Sequence, residues 1–213
     1  KIEGSYLNYL KEKELFSGKA EEVYYNLDAD LKARIFIGLG KEEKIDLEVL
    51  RKSFFKTASE LLKNKITEVE LNIPKLNNLC MYKTASAIAE GMLHATYQYD
   101  KFKSDRKELT EITVNYNPEK GKEDRAEKGV NEAVKLMEAV FLTRDLVNQP
   151  ANIIYPETLA QIAKEKLEAK GVKVTVHGKK EIEALKMEAF LSVARASTKE
   201  PKLIVMEYYN NPD

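Results

Sequence analysis

The sequence predicts an α/β protein, a sheet covered by helices, and three observations carry that reading. Short β-branched and aromatic runs alternate along the chain with longer stretches whose apolar residues recur at three- and four-residue steps. Glycine, proline and asparagine punctuate the changes from one pattern to the other. No internal repeat or low-complexity tract interrupts the alternation.

Taken in order, Arg34-Ile35-Phe36-Ile37-Gly38-Leu39-Gly40 suits a buried strand feeding a tight turn. Asp46 then caps a helix whose Leu47, Leu50, Phe54, Ala58, Leu61 and Leu62 fall on one stripe, and Asn64 ends it. Val69, Leu71 and Ile73 alternate with Glu70 and Asn72 in a second strand closed by Pro74. Ala85, Ile88, Ala89, Met92, Leu93 and Thr96 mark an amphipathic helix that runs into the polar stretch 99–107. The run 109–116 reads as a strand, with Ile112 and Val114 on one face. Pro118 and Gly121 make 117–125 a solvated connector. The longest helical stripe follows, Val130, Ala133, Val134, Met137, Val140, Phe141 and Val147, broken at Pro150. Pro156 opens a helix through Leu159, Ile162, Ala163 and Leu167, and Gly171 closes it. A strand over 172–176, a short helical stretch over 180–186, an apolar run over 189–193 and a strand over 203–208 complete the pattern.

The sharpest boundary is Asn148-Gln149-Pro150-Ala151-Asn152, where a long helix ends and a fresh helical start follows at once. It divides the chain into a first domain, 1–147, and a shorter segment, 148–213. At about 150 residues per domain the chain holds roughly 1.4 domains, which fits one complete unit and part of another.

Composition narrows the function classes. Lys and Arg total 35 against 35 Asp and Glu, so no net field draws the chain onto nucleic acid or an anionic membrane. At 43% hydrophobic the chain can build a core, which excludes a disordered chain. The high lysine content fits either organism-wide bias or heat tolerance. A single cysteine, Cys80, excludes an intrachain disulfide scaffold, and the apolar windows are short and broken by charge. A reducing, cytoplasmic, non-membrane setting is expected. Lys1 stands where an initiator Met would, and no signal peptide follows it, so the natural start is expected upstream.

Candidate chemistry is thin. Gly38-Leu39-Gly40-Lys41 lies between a strand and a helix, where a phosphate-cradling loop belongs. The third dinucleotide-loop glycine would fall at Glu43, and the spacing is too short for a triphosphate loop, so a structural turn is favoured. His94 and His177 lie far apart without metal-ligand spacing, and His94 is expected to pack partly buried on its helix. Cys80, without a cationic cluster beside it, is expected as a small buried side chain. Glu42-Glu43, Glu123-Asp124 and the acids of 100–105 lie in polar stretches and read as solvated charge.

The segment Thr143-Arg144-Asp145-Leu146-Val147-Asn148-Gln149-Pro150-Ala151-Asn152-Ile153-Ile154-Tyr155-Pro156-Glu157-Thr158-Leu159-Ala160 resembles the domain-junction signature of the leucyl (cytosol) aminopeptidases. Tyr155 departs from it where Thr is usual, so the helix start is expected to be capped differently. Agreeing stretches elsewhere are 37–41, Ala89-Glu90-Gly91-Met92-Leu93, 189–197 and 201–208, with Ala194, Ala196 and Glu200 departing from the usual Gly, Gly and Pro.

The resemblance implies a macro-domain-like sheet flanked by helices, followed by the first helix and strands of a truncated α/β peptidase domain. It also implies a cytoplasmic hexamer acting on peptides with two divalent ions, manganese or zinc. Those ions would polarise the scissile carbonyl, activate a bridging water and hold the free α-amine. The family's Asn-Thr-Asp-Ala-Glu-Gly-Arg metal run does not occur in this sequence. The expectation is therefore that no catalytic, cofactor-binding or metal residue lies in these 213 positions, and that this chain alone is inactive. Its role would then be assembly and active-site access. A nucleotide or ADP-ribose site at the turn after Gly38 is a second reading, opposed by Glu42 and Glu43. DNA binding, which the resemblance also admits, is disfavoured by the zero net charge.

Overall fold

The computed structural model describes residues 4–27, 33–106 and 111–209. The chain divides into two compact units, residues 1–142 and 143–213.

The first unit starts with two elements that the periodicity above does not single out. Helix α1 (Gly4–Glu12) and strand β1 (Val23–Leu27) precede β2 (Ala33–Ile37), which pairs antiparallel with β1. Alternation along β2 sends its side chains to opposite faces. Phe36 packs with Leu10 and Phe16 in one cluster, bordered by Tyr6, Leu7 and Tyr24. Ile37 faces the larger cluster built on α2 (Leu47–Lys63). The β1–β2 ribbon is thus covered by α1 on one side and α2 on the other.

Helix α2 follows its sequence closely. Asp46 Oδ1 accepts from the Val49 N–H at 2.8 Å, and Leu50, Phe54, Ala58 and Leu61 are buried together with Ser53 and Thr57. Strand β3 (Glu68–Asn72) pairs parallel with β4 (Thr113–Asn117), and α3 (Met81–Ala95) is the crossover a parallel pair requires. Two residues of the expected strand, 109 and 110, lie outside the described residues, as do 107 of the polar stretch before it, Lys1 and the last four residues of the chain.

Helix α4 (Glu123–Asn148) begins inside the stretch expected as a connector, with Glu123 and Asp124 in its first turn, where carboxylates complement the helix dipole. Its buried stripe keeps Ala133 and Met137 of the expected one and adds Ala126 and Gly129. Ala126, Gly129, Ala133 and Met137 face inward, whereas Val134 and Val147 are exposed. A Cβ at Gly129 would collide with the Tyr82 carbonyl of α3, so small residues sit at that close approach while Val130 packs partly buried beside it.

In the second unit, α5 (Pro156–Glu168) packs on β5 (Lys173–His177), which pairs antiparallel with β6 (Leu203–Glu207). Gly171 takes φ +81 between α5 and β5, a conformation that favours glycine. Between the strands lie α6 (Lys179–Ala184) and α7 (Glu188–Ala194), so the apolar run 189–193 is helical. Ala160, Val174, Ile182 and Leu191 are its buried apolar residues among those described. The alternation is therefore mixed α/β, with the described strands in three two-stranded sheets.

Candidate functional site

The turn after β2 is built for packing. A Cβ on Gly38 would overlap the Lys19 carbonyl, and Gly40 takes φ +78. The Gly38 N–H donates to the Glu22 carbonyl at 2.7 Å and the Gly40 N–H to the Gly18 carbonyl at 2.9 Å. A phosphate cradle needs N–H groups aimed at solvent. These two are spent inside the fold, so the turn acts as a structural corner.

Across from it, Ser53 in α2 is fully buried; its Oγ accepts from the Glu21 N–H at 3.1 Å and donates to the Gly38 carbonyl at 3.3 Å. Two residues earlier in α2, Arg51 Nε donates to Glu90 Oε2 at 2.5 Å, and Ser86 Oγ donates to Glu90 Oε1 at 2.9 Å. The Glu90 side chain is 11% exposed, so both of its carboxylate oxygens are held from within the fold. The Glu90 carboxylate in turn keeps the Arg51 guanidinium raised above its ordinary range, against a smaller opposing effect of burial. Gly91 makes this pairing possible: a Cβ there would strike the Arg51 carbonyl, so α2 and α3 meet backbone to backbone.

Beside that pair lies a groove of about 660 Å³ with Phe55, His94, Leu136 and Met137 among its walls. His94 is half-buried with its ring edge-on to Phe55 at 6.3 Å, the packing role its helix position predicts. His177 ends β5, opposite Leu203. Cys80 corrects its expectation. It is exposed, because it is the residue flanking the start of α3 and its side chain lies outside the first turn.

At the junction, α4 ends at Asn148 and the Pro150 carbonyl accepts from the N–H groups of Ile153 (2.9 Å) and Ile154 (3.0 Å). The start of α5 is capped from inside: Thr158 Oγ1 accepts from the Tyr155 N–H at 3.0 Å. The Tyr155 ring, standing where the resemblance has Thr, lies under the Lys199 ammonium at 4.3 Å. Lys202 Nζ meets Glu157 in the first turn of α5 at 2.6 Å. The junction thus ties α5 to the loop before β6.

The implied two-ion centre finds no matching donor set among the described residues: nowhere do three His, Cys, Asp or Glu side chains converge. Glu42 and Glu43 line a shallow polar hollow with Asn77 and Asn78, and Asn77 Nδ2 donates to Glu42 Oε1 at 2.6 Å. Glu123 accepts backbone N–H groups at its helix start, which lowers its carboxyl pKa. No catalytic step can be derived through a metal from these side chains.

Residues 1–106 match the model of the cytosol aminopeptidase family, N-terminal domain, and residues 141–213 match that of its catalytic domain. The chain belongs to the cytosol aminopeptidase family. It contains the N-terminal domain and the beginning of the catalytic domain of that family. A probable cytosol aminopeptidase of Treponema denticola is 91% identical over 212 residues, spanning 100% of this chain and 44% of the relative. One of Clostridium tetani is 40% identical over 96% of this chain and 43% of its own length. The chain thus spans less than half the length of these cytosol aminopeptidases.

Among solved structures, a mutant of tomato leucine aminopeptidase matches with TM-score 0.80 and 25% identity, over 95% of this chain and 41% of that one. The bottromycin maturation enzyme BotP in complex with Mn shares the fold at TM-score 0.79 and 21% identity, over 96% of this chain and 42% of its own. Two features escaped the sequence reading. Glu90 sits within a stretch noted only for its resemblance; its Ser86 partner at i−4 and adjacent Gly91 were the available signal. Ser53 carried no signal, because its partners at Glu21 and Gly38 are remote in sequence.

Proposed function

We propose that this chain is the front part of a metal-dependent aminopeptidase that removes N-terminal amino acids from peptides. Its 1–147 portion would be the macro-like N-terminal domain, and 148–213 the junction and opening of the catalytic domain. The observation that carries this is the match to the two domains of one family in order, with the junction signature between them. The ions, manganese or zinc, would be held by catalytic-domain residues other than these, and the BotP complex with Mn supports a divalent-metal site in that fold. The front unit would serve hexamer assembly and access to the active site, in a cytoplasmic enzyme.

The test compares this chain with a version extended through the whole catalytic domain, both with manganese and leucine p-nitroanilide. Turnover in the longer chain and none in the 213-residue chain is expected. Equal turnover would overturn the placement of the ligands outside these residues.

A further inference from the structure

The segment between Phe16 and β1 closes over the Gly38 turn in an unusual way. The Glu22 carboxylate turns back and accepts from the Ser17 N–H at 2.9 Å through Oε1 and at 3.0 Å through Oε2. It accepts also from Ser17 Oγ at 2.9 Å and from the Lys19 N–H at 3.0 Å. Gly18 takes φ +79 between those two donors, which curls the backbone into a concave nest of the kind that receives anions. Glu21, next to Glu22, takes φ +67, a conformation a non-glycine residue holds only when its surroundings impose it. Here they do: its N–H meets Ser53 Oγ at 3.1 Å and the Gly38 carbonyl at 3.1 Å, and its carboxylate meets Lys56 Nζ at 3.0 Å.

We infer that Glu22 is a built-in latch, an internal anion that fills the Ser17–Lys19 nest and holds the 17–22 strap shut over the Gly38–Gly40 turn. The strap starts at Phe16 of the α1 cluster and is pinned at Ser53 and Lys56 of α2. It therefore couples the two apolar clusters on either side of the β1–β2 ribbon. Because the nest is already filled by a tethered carboxylate, an external oxyanion has no place in it.

Amide hydrogen exchange on the whole chain tests this with Glu22→Ala and, as the gentler variant that keeps one acceptor, Glu22→Gln. In Glu22→Ala the Ser17 and Lys19 amides should exchange at least about tenfold faster, with a smaller rise at Gly38 and Gly40 and none at Phe54 or Leu61. Glu22→Gln should fall between that variant and the parent. Unchanged exchange at Ser17 and Lys19 in both variants would overturn the latch. So would a change in the Ser17, Lys19, Gly38 or Gly40 amide resonances of the parent on adding inorganic phosphate.

Discussion

The two units of this chain spend their apolar residues differently. In the first, Leu10 and Leu50 are 0% exposed and Phe54 is 2%, and helices cover the β1–β2 ribbon on both faces. In the second, Val193 is 84% exposed and Tyr209 80%, while the buried apolar set among the described residues is Ala160, Val174, Ile182 and Leu191. The difference teaches that regular secondary structure does not by itself measure stability. A two-stranded ribbon with short helices is marginal in water unless more surface covers it. The second unit is the opening of a catalytic domain whose curated relatives run to more than twice this chain's length.

The strongest test of that contrast is truncation at the centre of each core. Phe54→Ala should cost the first unit about 3–5 kcal/mol, read as a lowered urea midpoint. Ile182→Ala, at a residue 0% exposed, should cost about 2–5 kcal/mol, as much as a short unit holds in all. Exchange protection of β5 and β6 should then vanish while α2 stays protected. Retained protection in β5 and β6 would mean that the second unit is sturdier than its thin core implies. Even in the parent, amides from 151 onward should exchange faster than those of α2 and α3.

Gly91→Ala sharpens the comparison at smaller scale. Forcing α2 and α3 apart costs about 1–3 kcal/mol, and the gain in helix propensity returns about 1 kcal/mol. A net loss of about 1 kcal/mol in the first unit is expected by urea unfolding. A gain in stability would show that the helices have room to separate freely.

The smallest expected effect is the response of the strap to acid. Burial pushes the Glu22 carboxyl up, but the donors of Ser17 together with the N–H groups of Lys19 and Gly18 outweigh it and leave it below its ordinary value. A depressed carboxyl stabilises the fold above the unfolded value of about 4.3 and loses that contribution as pH falls through the folded value. Ser17 and Lys19 amides should therefore keep their protection, corrected for intrinsic exchange, from neutral pH to about 4.3 and lose it only in stronger acid. Loss already near pH 6 would show that the Glu22 carboxylate is not what protects these amides.

Several elements were legible because their causes are local. Asp46 caps α2, Asn64 ends it, Pro156 opens α5, and the stripe from Leu50 to Leu61 is buried as its spacing requires. Helix α1 and strand β1 were not, because their burial depends on Phe36, a partner about a dozen residues from β1 and some twenty-five to thirty from α1. The α4 stripe was legible at Ala133 and Met137, whereas Ala126 and Gly129 were missed because only the approach of α3 at Gly129 favours small residues there. Cys80 went astray because exposure at a helix start is decided by backbone direction.

By itself the sequence determined the α/β alternation, the helix caps, the break at Pro150 and, through the junction signature, the family. Those follow from side chains acting on their immediate neighbours, or from a motif contiguous in the chain. Tertiary structure alone decided that Glu90 would clamp Arg51, that Ser53 would hold Glu21 to the Gly38 carbonyl, and that the Gly38 turn would spend its donors inward. Each depends on a close approach of backbones that no local pattern encodes, and a carboxylate takes up whichever donors that approach leaves unpaired.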